Sequence, residues 1–257
     1  MLLDYEDLKD LLEVKYRQYN NIKFIEKDPI LIPHSFKLKE DIEISAFLTA
    51  TIAWGQRSTI IKNAERLMAM MDNRPFDFIM NAEKSDLRPF SEFVHRTFNG
   101  SDSKYFVLAL RNIYKRHHDL EAVFRLKSPA ADIIHSIAGF RNVFFELKHP
   151  SRTQKHVSNP LSGSSAKRIC MFLRWMVRKD NAGVDFGIWK SISPSKLYLP
   201  LDIHTGNVSR KLGLLNRKQN DWKAVAEITE ILRTFDPLDP IKYDFALFGL
   251  GVSRELD

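Results

Sequence analysis

The chain reads as an all-α protein, and three observations predict it. Apolar residues recur at helical spacing of three and four along most of its length, β-alternation is scarce, and there are only 10 glycines in 257 residues. At 44% hydrophobic residues the chain can bury a full core.

Each element has a local reason. Met1–Tyr19 is a helical candidate; it carries acids among its apolar residues, which argues against a signal peptide. Asp41–Trp54 (DIEISAFLTATIAW) reads as a buried helix, with Gly55 fitting the position past its end. Ser58 is a candidate cap for the next helix, TIIKNAERLMAMM, which leaves Gln56 and Arg57 in a tight joint. Ser103–His117 is a further helix and Ser128–Phe140 another candidate. His149–Ser165 reads as a polar loop and Ala166–Arg178 as a strongly apolar helix. Asn181–Leu199 is irregular. Asp202 opens a short basic helix, because an aspartate at the N-cap accepts backbone N–H groups and the helix dipole favours its charge. Asp221 or Asn220 can cap WKAVAEITEILRTF. Asp239 followed by Pro240 resembles a cap with proline at the first helical position, opening Ile241–Gly251.

The charge is uneven. Lys and Arg number 39 against 32 Asp and Glu, a net charge of +7, which suits a polyanionic partner. From Leu147 to Lys179 there is no acid, while Lys148, Arg152, Lys155, Lys167, Arg168, Arg174, Arg178 and Lys179 supply eight cations. Ser162, Gly163, Ser164 and Ser165 stand just before a helix start, where backbone N–H groups can bind a phosphate. The alternative is a solvated basic surface.

Lys167 lies in the first turn of AKRICMFLRWMVR, where a cation opposes the helix dipole. A neutral lysine amine is a nucleophile able to form a Schiff base. Lys167, Arg174 and Arg178, seven and four residues apart, share one helix face. The bland reading is a lysine that snorkels to solvent or touches a phosphate. The single Cys170 sits in an apolar run and reads as a buried thiol, so neither a disulfide framework nor a cysteine-based metal site is expected. His204, two residues past Asp202, reads as a helix-surface or supporting residue, and His117–His118 as surface. No apolar run approaches membrane-spanning length, and an intracellular compartment is the expectation.

Three segments together resemble the helix-hairpin-helix DNA glycosylase superfamily, which includes endonuclease III and the 8-oxoguanine glycosylases. LPLDIHTGNVSRKLGL is similar to the segment around the catalytic aspartate, with Asp202 at that position. NPLSGSSAKRICMF is similar to the hairpin and following helix, with Lys167 at the lysine of the bifunctional members. AFLTATIAWGQRSTIIKNAERL is similar to a helix pair whose joint carries a DNA-facing glutamine, here Gln56. SAKRICMFLRWMVRKDNAGVDFGIW and DPIKYDFALFGLG resemble an uncharacterised bacterial family grouped with this superfamily. The hairpin departs from the pattern: Gly163 fits its first glycine and Ser165 stands at the second. The Lys167-to-Asp202 interval is nearer to that of the archaeal 8-oxoguanine glycosylases than to that of endonuclease III.

The resemblance implies two helical lobes, 41–179 and 1–40 plus 180–257, with a helix-hairpin-helix and a cleft between them. It implies a base-excision glycosylase with AP-lyase activity on double-stranded DNA carrying a damaged base or abasic site, acting without cofactor or metal. Oxidised guanine is the expected lesion. Lys167 and Asp202 would be catalytic; Gln56, Arg57, Ser162, Gly163, Ser164, Ser165 and Arg168 would face DNA. Gln56 has a structural alternative, satisfying orphan backbone groups at the helix ends. Trp54, Trp175, Trp189 and Phe186 are candidates for stacking on a flipped base, or for core. Asp185 would read a base edge or pair with Arg174 or Arg178. A cytoplasmic, nucleoid-associated monomer is expected. A non-catalytic DNA binder on the same fold and an unrelated helical adaptor for an acidic protein are the competing readings.

Overall fold

The computed structural model describes residues 4–128, 130–253 and 255. They form eleven α-helices joined by short 3₁₀ turns, with no strand among the described residues and only two isolated bridges. None of the described helices is long and apolar enough to cross a membrane. Two compact units result: a terminal one, Met1–Phe24 with Asn159–Asp257, and a central one, Ile25–Ser158. This differs from the lobes drawn from the sequence. The segment 159–179 belongs with the chain termini, because its helix pairs its arginines with acids of the terminal unit.

The central unit holds α2 (Lys39–Thr51), α3 (Arg57–Ala69), α4 (Pro75–Asn81), α5 (Gly100–His117), α6 (Leu120–Phe124) and α7 (Ile133–Phe144). Its core is aromatic. Phe47 stacks on Phe106 at 5.8 Å between ring centres and Phe124 on Phe140 at 4.2 Å. α2 is buried nearly all round, as its continuous apolar run requires. Its one deeply buried acid, Glu43, accepts from the Tyr114 hydroxyl at 2.7 Å and from Leu120 N at 3.2 Å. A buried carboxylate persists only with such partners.

α2 ends at Thr51, earlier than its apolar run suggests, and α3 begins at Arg57. Ser58 therefore lies inside α3 and Gln56 takes the N-cap position. α5 starts three residues before the expected Ser103, because Asn99 and Asp102 form a reciprocal capping box. α7 starts later than expected, capped by Asp132. The predicted polar loop 149–165 folds as two 3₁₀ turns, 151–156 and 160–162. The first buries Thr153 and His156 against Asp102: Thr153 donates at 2.7 Å, Arg152 at 2.6 Å, and His156 lies at 3.1 Å.

The terminal unit holds α1 (Tyr5–Tyr19), α8 (Lys167–Val177), α9 (Ile203–Lys211), α10 (Trp222–Phe235) and α11 (Asp244–Ser253). Asp4, Asp202 and Asp221 cap α1, α9 and α10 through their carboxylates. Asp239 does not cap the last helix as its Asp-Pro pattern suggests. Its carboxylate accepts from Arg178 at 2.9 Å, residues 240–243 form a 3₁₀ turn, and α11 starts at Asp244. Cys170 is buried, as expected, and burial pushes its thiol up to about 12.

Candidate functional site

The site is built in the terminal unit from the starts of α8, α9 and α11. Gly163 is left-handed at φ 86°, and its carbonyl accepts from Trp222 N at 3.0 Å. Ser164 pairs with Asp221 in an antiparallel bridge, and its hydroxyl accepts from Ala166 N at 3.2 Å. The second left-handed residue of this loop is Ala166 (φ 48°), not Ser165, and Lys167 follows it as the first residue of α8. No side chain caps this helix. Lys167 is half-buried, and its side chain makes no hydrogen bond or ion pair among the described residues. Ser162 and Gly163 are exposed; Ser164 and Ser165 are half-buried. Arg168 is half-buried as well, and desolvation lowers its pKa to about 10.

Asp202 caps α9: one carboxylate oxygen accepts from Thr205 N at 2.9 Å. The other has no hydrogen bond among the described residues. The Asp202 carbonyl accepts from Asn220 Nδ2 at 3.1 Å, while Asn220 Oδ1 accepts from Arg210 at 2.6 Å. A Cβ on Gly206 would stand 2.8 Å from that Asn220 oxygen, so a larger residue there would displace the Asn220 and Arg210 side chains. Asn220, Asp221 and Trp222 thus form a clasp: the first holds the Asp202 turn, the other two hold the loop before Lys167.

The third member was not singled out from the sequence. Asp244, buried at the start of α11, accepts a short bond from Arg174. Burial raises its pKa to about 6; the positive charges of Arg174 and Lys167 oppose the rise and the negative charge of Asp202 adds to it. The charges of Lys167 and Asp202 both reach Asp244, so the three side chains share one electrostatic neighbourhood.

Behind the site the same helix face changes character. Arg174 pairs with Asp185 at 3.2 Å as well as with Asp244. Arg178, fully buried, pairs with Asp180 at 2.7 Å, Asp185 at 3.1 Å and Asp239 at 2.9 Å. Asp185 is committed to both arginines and is not available to read a base edge. Trp175 and Trp189 are also core rather than stacking surface: each is at most 1% exposed, and Trp189 sits edge-on to Phe172 at 5.3 Å. Trp175 Nε1 is buried with no hydrogen-bond partner among the described residues. Phe186 keeps partial exposure, its N–H bonded to the Trp175 carbonyl at 2.8 Å. His204 is exposed, its ring edge-on to Phe248 at 6.3 Å, in keeping with a helix-surface residue. No group of three metal-ligating side chains occurs among the described residues.

The acid-free span 147–179 is therefore not one solvated basic strip. Arg152, Arg174 and Arg178 are spent on internal pairs, and the span divides between the two units.

In the central unit, Trp54 is half-buried against His156, with ring centres 6.1 Å apart. Gln56 is exposed, and its side-chain amide makes no capping bond and no other hydrogen bond among the described residues, so the amide does not satisfy the helix ends. Arg57 is half-buried beside it.

A family model described as a protein of unknown function, DUF2400, matches residues 28–253. No curated protein matches the chain, and no solved structure does.

Proposed function

We propose that this chain, which belongs to the DUF2400 family of proteins of unknown function, is a bifunctional DNA glycosylase and AP lyase of helix-hairpin-helix type. The observation that carries this reading is an unpaired lysine at a helix start sharing a neighbourhood with two carboxylates, one of them a helix cap with an open oxygen. Paired cations are structural; an unpaired, half-buried amine within the electrostatic reach of a carboxylate suits nucleophilic and acid–base work. The loop 160–166 serves as the hairpin, and its exposed Ser162 and Gly163 face a DNA phosphate. The free Gln56 amide favours its DNA-facing role over its structural one.

The glycosidic bond is shielded in stacked duplex, so the damaged base is extruded before reaction. Lys167 Nζ attacks the sugar C1′; the C1′–N bond to the base breaks and the base leaves, taking up a proton. Asp202 takes a proton from the lysine and stabilises positive charge developing on the sugar. The deoxyribose ring opens to the protonated Schiff base. Loss of a C2′ proton then expels the 3′ phosphate and cuts the strand, and water releases Lys167. Oxidised guanine in double-stranded DNA is the proposed lesion, and a cytoplasmic, nucleoid-associated site of action follows from it.

Strand cleavage on end-labelled duplexes carrying 8-oxoguanine, an oxidised pyrimidine, uracil or an abasic site tests the proposal. Cleavage at one lesion, lost in Lys167→Ala with DNA affinity retained, is the expected result. Salt-dependent binding without cleavage of any duplex would leave a non-catalytic DNA binder.

A further inference from the structure

The joint between α2 and α3 is crossed by a side chain from elsewhere in the central unit. His95 and Phe98 exchange both backbone hydrogen bonds, at 2.8 and 2.9 Å, which closes a two-residue turn over Arg96 and Thr97. Arg96 at its tip has φ 54°, a conformation that glycine adopts freely and a long side chain resists. A turn under no other demand would carry glycine or asparagine there.

Polar groups hold this turn from two sides. His95 is 2% exposed; its Nδ1 lies 2.9 Å from Asn63 Nδ2 on α3, and its Nε2 lies 3.1 Å from the Trp54 carbonyl. That pairing leaves Nδ1 as acceptor and Nε2–H as donor. Arg152 donates to the Thr97 carbonyl at 2.7 Å, and its other terminal nitrogen binds Asp102 and Asn99. Such over-determination is what keeps a strained residue in place.

Arg96 is exposed and makes no hydrogen bond or ion pair among the described residues. Its side chain lies over the joint: a Cβ on Gly55 (φ 109°) would stand 3.2 Å from an Arg96 terminal nitrogen and 3.5 Å from its Cδ. Gly55 therefore adjoins the Arg96 side chain, and Gln56, the next residue, is exposed as well.

We propose that Arg96 is a DNA-contact residue, presented by the 95–98 turn to grip a phosphate of the duplex beside Gln56. The proposal rests on the DNA-binding reading above. A guanidinium suits a phosphate because its planar donors bind two oxygens at once.

The test is binding of a labelled duplex carrying a tetrahydrofuran abasic analogue across a salt series, in a Lys167→Ala background that blocks turnover. Arg96→Gly should weaken binding about tenfold and lower the slope of log affinity against log salt by about one. Its Tm should hold or rise by a few degrees, because glycine relieves the turn. Arg96→Lys should keep most of the salt slope. If the parent binds and Arg96→Gly binds with the same affinity and slope, Arg96 is a fold feature only and the glycosylase reading stands. Equal losses of affinity and Tm in Arg96→Gly and Arg96→Lys would also overturn the contact. If the parent binds no duplex at moderate salt, the DNA-binding reading falls and Arg96's role with it.

Discussion

Asp202 and Asp221 do the same local job and differ in everything else. Each caps a helix of the terminal unit by accepting the backbone N–H three residues on, at 2.9 and 3.1 Å. Asp221 closes its remaining valence on Arg217 through two bonds of 2.7 and 2.5 Å, and this arginine holds its carboxyl down at about 2. Asp202 leaves an oxygen open and lies within reach of the Asp244 charge. The motif of a cap is thus no guide to chemistry; what the second oxygen does separates a structural aspartate from a candidate catalytic one.

The comparison breaks most sharply under Asp202→Asn. Asparagine caps as well as aspartate, so Tm should hardly move, while strand cleavage should fall about a hundredfold or more. Asp221→Asn is the matched control; it loses the half-exposed Arg217 pair and should leave cleavage within about twofold. Equal effects of the two substitutions on cleavage would erase the distinction.

Asn220→Ala comes next. It frees the Asp202 turn without touching either reacting group, and misplacement on that scale costs roughly ten- to a hundredfold in rate. The fall should lie in kcat with KM little changed, whereas a merely structural residue would lower Tm and leave the rate per folded molecule intact.

The smallest effect is a pH dependence. Asp244 has its pKa raised from 3.8 to about 6, so the folded protein holds a proton that the unfolded chain releases between those values. The stability that goes with this proton is complete below about pH 4 and lost as pH rises through about 6. Asp244→Asn cannot titrate. Its Tm relative to wild type should therefore climb from about pH 4 to about pH 7, and a constant difference in melting scans over that range would refute the assignment.

Much of the helical frame was legible, because spacing and caps are local signals. α5, α8 and α10 lie within a few residues of their expected positions, and Asp202 and Asp221 cap as their sequence contexts suggest. α4 carries only seven residues behind a proline and was missed. Pairing across long sequence separations was not legible. Asp102 lies about fifty residues from Arg152, Thr153 and His156, and Arg174 lies 70 residues from Asp244. Those pairs turn a polar loop into packed structure. The shorter-range pairs of Asp185 with Arg174 and Arg178, 11 and 7 residues away, are the alternative that the sequence itself offers. Asp244 is one acid at the start of an apolar helix, and only the charges of Lys167 and Asp202, which reach it from distant parts of the chain, single it out.

The central claim is that Lys167 is a nucleophile. Borohydride reduction during incubation with a duplex carrying an abasic site or 8-oxoguanine, followed by digestion and mass spectrometry of the adduct, tests it directly. The account predicts a covalent protein–DNA product with the deoxyribose remnant on the Lys167 peptide, absent in Lys167→Ala. An adduct that maps to another lysine, or none on any duplex that the protein binds, would contradict it.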